Sequence, residues 1–225
     1  MKRLLSALAL FAVASPAAAS PLNPWGAYVG DGVTAVTPFL YVDQSPRFYP
    51  YVYGQHGFGS KLELLAGVGA SFGSGPFTFD SVEVMPRYFF TDSGAVALHA
   101  TWANGGGTTL AAEYDGAYEF GSFALTVNLG YGPTFYDGGV APGDIYALLA
   151  PEYYFTDATS LFVEVDPAYT LGEGGGLYME VVPGVSTAIA DTHYFALGVA
   201  LPIAPEFDSS GIYVGAWYSV AFGGS

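Results

Sequence analysis

The chain contains no cysteine, and only five of its 225 residues are Lys or Arg. Without cysteine, disulfides and thiol chemistry are excluded. With so few cations, nucleic acid is excluded as a partner, because phosphate binding needs clustered Lys and Arg. A long apolar run is missing too. The best candidate, Leu4 to Val13, is well short of the roughly 20 residues that a membrane-spanning helix requires. Charged residues make up just 11% of a chain that is 52% apolar, and the apolar positions show no helical period. Such a chain can cover its apolar surface only with strands.

Residues 1–19 read as a secretory signal, with a basic start at Lys2 and Arg3, an apolar middle from Leu4 to Val13, and small residues Ala17-Ala18-Ala19 at the cleavage site. The exported chain then begins at Ser20. It keeps three basic residues, Arg47, Lys61 and Arg87, against 20 acidic ones, a net charge of −17. Residues 20–32, rich in Pro and Gly and containing Trp25, form a periplasmic lead-in to a β-domain at 33–225.

That domain is built on the pattern of Pro151-Glu152-Tyr153-Tyr154-Phe155-Thr156-Asp157. Leu149, Pro151, Tyr153 and Phe155 share one face, and Ala150, Glu152, Tyr154 and Thr156 the other. Past the turn, Leu161, Val163, Val165 and Pro167 continue the apolar face, while Phe162, Glu164, Asp166 and Ala168 continue the polar one. This is a hairpin with one apolar side. Pro86 to Gly94 repeats it, as does, less closely, Pro183 to Asp191. A soluble sandwich would bury the apolar face against a second sheet, whereas a closed barrel turns it to lipid and leaves no unpaired edge.

The fold expected is an all-β, transmembrane, antiparallel up-and-down barrel of about twelve strands. They are placed at 33–43, 47–55, 61–72, 77–90, 95–103, 109–120, 123–135, 144–156, 160–171, 177–190, 193–205 and 211–222. Tight connections, such as Gly121-Ser122, alternate with longer ones, Asn104 to Thr108, Tyr136 to Gly143, Gly172 to Gly176 and Glu206 to Ser210. Barrels of this kind have short periplasmic turns and longer outer loops, so both termini are expected in the periplasm. Outward Tyr88, Phe90, Phe120, Phe123, Tyr153, Phe155, Phe195 and Phe222 would form the inner aromatic girdle, and Trp102, Tyr131 and Tyr169 the outer one.

The last strand, with Tyr218, Val220 and Phe222 on its apolar face, resembles the terminal strand of bacterial outer-membrane β-barrel proteins. That resemblance implies an insertion signal read by the barrel-insertion machinery. Gly223-Gly224-Ser225 after the final aromatic residue depart from the family pattern. The Pro-x-Tyr-Phe-Thr-Asp turns also resemble those of small OmpA-like and OmpW-like barrels.

Function must then be sought on the inner face. Small or polar residues fall there on several strands, among them Gly67, Gly69, Ala97, Asn128, Gly130 and Gly198. Lumen width grows with strand number, so a water-filled but narrow bore is expected, partly occupied by Tyr146, Tyr154, Phe162, Tyr178 and Tyr194. Glu113, Asp115, Glu119, Glu152, Glu164, Asp166 and Glu180 form an acidic wall. Arg47, Lys61 and Arg87 line roughly the opposite wall, in local pairs of Lys61 with Glu63 and Arg87 with Glu83. A tube with excess carboxylate concentrates cations. The same carboxylates would equally solvate a purely structural lumen.

Catalysis has little to stand on. There are three histidines, His56 and His193 beside turns and His99 in the lumen, with no serine in a nucleophile motif. No cofactor is called for. Loop acids such as Asp137, Asp144, Glu173, Glu206 and Asp208 have no metal-loop spacing. The leading reading is a passive, cation-preferring channel for small solutes in contact with outer-membrane lipid. The alternatives are a non-conducting structural or adhesive barrel working through its outer loops, and an uptake channel for small apolar molecules.

Overall fold

Alternation of β-branched and aromatic residues with small or polar ones gives every segment two distinct faces, and the fold uses both. In the computed structural model, which describes residues 29–73, 75–172, 174–190, 192–207 and 209–223, twelve strands form one closed barrel. They are β1 Val33–Asp43, β2 Phe48–Phe58, β3 Leu62–Ser71, β4 Thr78–Thr91, β5 Gly94–Ala103, β6 Gly107–Phe120, β7 Phe123–Tyr136, β8 Gly139–Tyr154, β9 Thr159–Thr170, β10 Leu177–Ala190, β11 His193–Ala204 and β12 Tyr213–Gly223. Each strand pairs antiparallel with its sequence neighbours, and β12 closes on β1 with Trp217 opposite Phe39. Closure leaves no edge to pair with another chain. The signal sequence at 1–19 and most of the lead-in lie outside the described residues, as do Glu173 and Asp208.

Turn chemistry sets the hairpins. In the β8–β9 turn, the Thr156 hydroxyl oxygen accepts from the backbone N–H groups of Ala158, at 3.2 Å, and Thr159, at 2.9 Å. This is why a Thr follows the aromatic end of the strand. In the two-residue β6–β7 turn, Gly121 has φ 68°, the left-handed conformation that such a turn requires and glycine supplies without strain.

One boundary differs substantially from the sequence reading. β8 starts at Gly139 rather than 144, because Gly139, Val140 and Ala141 continue the ladder against Tyr136, Phe135 and Thr134. Pro133, Pro142 and Gly143 mark a register shift between Gly132 and Thr134, where a missing N–H does not break the pairing. The Tyr136 to Gly143 loop therefore shrinks to a two-residue turn, Asp137-Gly138.

The outward face is a continuous apolar belt. Val52, Leu64, Val84, Leu98, Leu129, Leu149, Val163, Leu197 and Val214 are exposed along it, and the aromatic residues expected at both rims are exposed as well. An uncovered belt of this extent is the face of a membrane barrel, not of a water-soluble domain. Its few polar groups satisfy one another. Thr34 meets His56 at 2.8 Å, Thr159 meets Thr187 at 3.3 Å, and the hydroxyls of Tyr114 and Tyr118 meet, as do His193 Nδ1 and the Tyr218 hydroxyl. Leu98, 67% exposed midway along β5, should respond accordingly. Leu98→Arg is expected to destabilise the barrel in lipid by about 2–4 kcal/mol, read as a lower urea midpoint for unfolding from vesicles.

Candidate functional site: the barrel lumen

The middle of the lumen is filled. All twelve strands contribute buried inward side chains, and an apolar cluster of Phe39, Tyr51, Tyr53, Leu65, Met85, Ala97, Leu148, Phe162, Val182, Ala196, Ala200 and Trp217 occupies its middle. Trp217 stands between Phe39 and Phe162, with ring centroids 6.1 Å and 5.8 Å away. This corrects the expectation of a water-filled bore lined by small residues.

The physical reason lies in the register. Gly67 and Gly69 pair directly with Tyr53 and Tyr51, whose rings pass 2.6 Å and 2.7 Å from where a Cβ on each glycine would stand. Gly130 lies under the Tyr146 ring and Gly184 under the Phe162 ring in the same manner. Rings on one strand cover glycines on the next. A glycine here seats a neighbour's ring and leaves no gap.

Polar groups are organised around the apolar middle in four sets. In the first, the Arg87 guanidinium on β4 donates from Nε to Glu63 Oε1 on β3 at 2.7 Å and contacts the same oxygen through Nη2, while Nη1 reaches Asp115 Oδ2 on β6 at 3.5 Å. Asn128 on β7 donates to Asp115 Oδ1 at 2.6 Å, and the Tyr146 hydroxyl on β8 donates to Glu113 Oε2 at 2.6 Å. Asn128 also donates to Glu113 Oε1 at 3.4 Å, so five strands share one network around a single cation. In the second set, Tyr53 donates to Glu83 Oε2 at 2.9 Å, His99 Nε2 lies 3.1 Å from the same oxygen, and the Thr101 hydroxyl lies 3.0 Å from that ring nitrogen.

The third set, towards the tight-turn end, has Glu152 accepting from Tyr154 at 2.9 Å, from Ser186 at 3.1 Å and from Ser160. In the fourth, towards the long-loop end, Glu180 accepts from Tyr178 at 2.9 Å and Tyr213 at 2.8 Å. Asp166 lies opposite Glu180 in the ladder and beside Glu164.

The predicted site residues fall as follows. Glu113, Asp115, Glu152, Glu164, Asp166 and Glu180 all face inward. Glu119 has inward parity but is exposed at the tight-turn rim. Of the basic residues only Arg87 is in the lumen, 1% exposed. Arg47 is exposed in the loop before β2, and Lys61 is exposed in the β2–β3 turn with its Nζ 5.9 Å from the Tyr88 ring. Neither lines the lumen, and the described residues form no separate basic wall. The pairings differ too, because Glu63 belongs to Arg87 and Glu83 to Tyr53 and His99. Glu63 and Glu83 join the acidic set, and their parity with Gly67 and Arg87 is the signal in the sequence that places them inward.

Among the described residues no three His, Asp or Glu side chains converge as a metal site. Tyr218, Val220 and Phe222 lie on β12 where it seals the barrel, and Val220 and Phe222 pair with Val36 and Thr34 of β1.

No family model and no curated protein matches the chain. Solved structures do. An outer membrane channel from Pseudomonas putida F1 superposes with a TM-score of 0.58 at 11% identity, covering 86% of this chain and 96% of that one. The fold is that of outer-membrane channels. The NanC porin gives 0.60 at 8% identity, covering 84% and 98%, and the KdgM porin 0.58 at 12%, covering 84% and 99%. None of the three is named as an OmpA-like or OmpW-like barrel. At such identities the likeness extends to architecture and not to the groups that line the lumen.

Proposed function

We propose that the chain is exported by residues 1–19 and inserted in the outer membrane, with β12 as the insertion signal and its short turns in the periplasm. There it passes small neutral or cationic solutes passively and rejects anions. The observation that carries this reading is the charge of the interior. Glu63, Glu83, Glu113, Asp115, Glu152, Glu164, Asp166 and Glu180 all face inward, against Arg87 as the only Lys or Arg to do so among the described residues. An interior with that excess is tenable only if protons or mobile cations accompany the carboxylates, since unpaired buried charge is costly. Cations then enter a field that favours them, and anions meet one that opposes them.

One observation favours a second reading, a non-conducting barrel that works through its long-loop end. The side chains of the middle layer meet, so passage requires them to move apart. Swelling of proteoliposomes in isosmotic sugars separates the two readings. A channel of the kind proposed admits glucose and glucosamine at least several times faster than glucuronate. Glucuronate entering as fast as glucosamine contradicts the charge argument, and no swelling above protein-free vesicles, by residues 20–225 and by a variant lacking residues 20–31 alike, favours the second reading.

A further inference from the structure

The residues just before β1 turn back into the barrel. Gly30 and Gly32 have φ of 108° and 68°, left-handed values that reverse the chain at the tight-turn end. Gly32 N–H donates to the Gly57 carbonyl at 3.0 Å, and the Asp31 carboxylate accepts from Gly59 N–H at 2.7 Å, which fastens the segment over the β2–β3 turn. Val29, 6% exposed, is thereby carried inside, and its N–H donates to Glu63 Oε2 at 3.1 Å. Glu63 Oε1 is the oxygen that holds Arg87. The segment therefore supplies a donor that water would otherwise have to provide, at the head of the network running through Arg87 to Asp115.

We propose that Val29–Gly32 is an inhibitory strap. It closes the tight-turn mouth over Glu63, and its release is the step that admits water and solutes to the lumen. The proposal rests on the channel reading for its physiological sense, but it can be tested without conductance.

The chain has no native cysteine, so Ala95→Cys provides a single thiol. Ala95 is fully buried and faces inward, paired with Phe89 and Asp115. The rate of its modification by a charged, water-soluble maleimide in proteoliposomes reads access to the mouth. Deleting residues 20–31 is expected to raise that rate at least tenfold, and Asp31→Ala, which removes only the fastening to Gly59, at least threefold. If the deletion variant does not fold, the Asp31→Ala result decides. A rate unchanged in the folded variants overturns the strap. Faster labelling with no conductance in any variant leaves the strap standing and removes the channel. Conductance by the full exported chain with labelling unmoved does the reverse.

Discussion

Replacing Arg87 by Met is expected to lower the stability of the folded barrel by about 3–5 kcal/mol, because breaking a buried pair from one side leaves the opposite charge uncompensated. Here two carboxylates lose their cation at once. Glu63 and Arg87 side chains are fully buried, as is that of Asp115, so neither carboxylate can turn to solvent. The urea midpoint for unfolding from lipid vesicles reads the loss. The triple variant Arg87→Met, Glu63→Gln, Asp115→Asn should recover most of it, since neutral amides remove the repulsion while keeping acceptors for Val29 and Asn128. A single-variant loss below about 1 kcal/mol, the size of an exposed ion pair, would show that the guanidinium is solvated.

Trp217→Ala carries the other large effect. The indole is 4% exposed and links Phe39 on one side to Phe162 on the other. Truncating it should destabilise the barrel by about 3–5 kcal/mol through lost contacts and the cavity left behind. The same cavity opens in the apolar cluster that occupies the middle of the lumen, so the variant is also expected to conduct several times more current per inserted molecule than the unaltered chain. Stability and conductance should move in opposite directions. A destabilised Trp217→Ala barrel with unchanged conductance would place the constriction elsewhere in the lumen.

The barrel itself was legible in the sequence because most strands carry a two-residue alternation, and that signal is local. The start of β8 was not. Gly139, Pro142 and Gly143 have the composition of a loop, and only the pairing of Gly139, Val140 and Ala141 with β7 draws the segment into the strand. Interior packing was illegible for a related reason. A glycine at an inward position leaves a hole only if the neighbouring strand places nothing over it. Which residue does so depends on register, and Gly67 under Tyr53 is invisible until the strands are aligned.

Charge pairing failed on distance. Arg87 and Glu83 share a face of β4, but four residues along a strand span roughly 13 Å at about 3.3 Å per residue. A directly opposed pair on adjacent strands brings Cβ atoms to about 5 Å, and Glu63 is the residue opposite Arg87. Lys61 lies one position outside the ladder, because β3 starts at Leu62 and leaves Lys61 in the turn. The aromatic rims, by contrast, needed only parity and closeness to a turn, both of which a sequence displays.

The selection by charge proposed above is read from the reversal potential of residues 20–225 in a planar bilayer under a tenfold KCl gradient. Discrete conductance steps and a reversal potential on the potassium side are expected. The preference should weaken in Glu164→Gln, Asp166→Asn, which neutralises two inward carboxylates of β9. A reversal potential at zero or on the chloride side, with steps of stable amplitude, would contradict it.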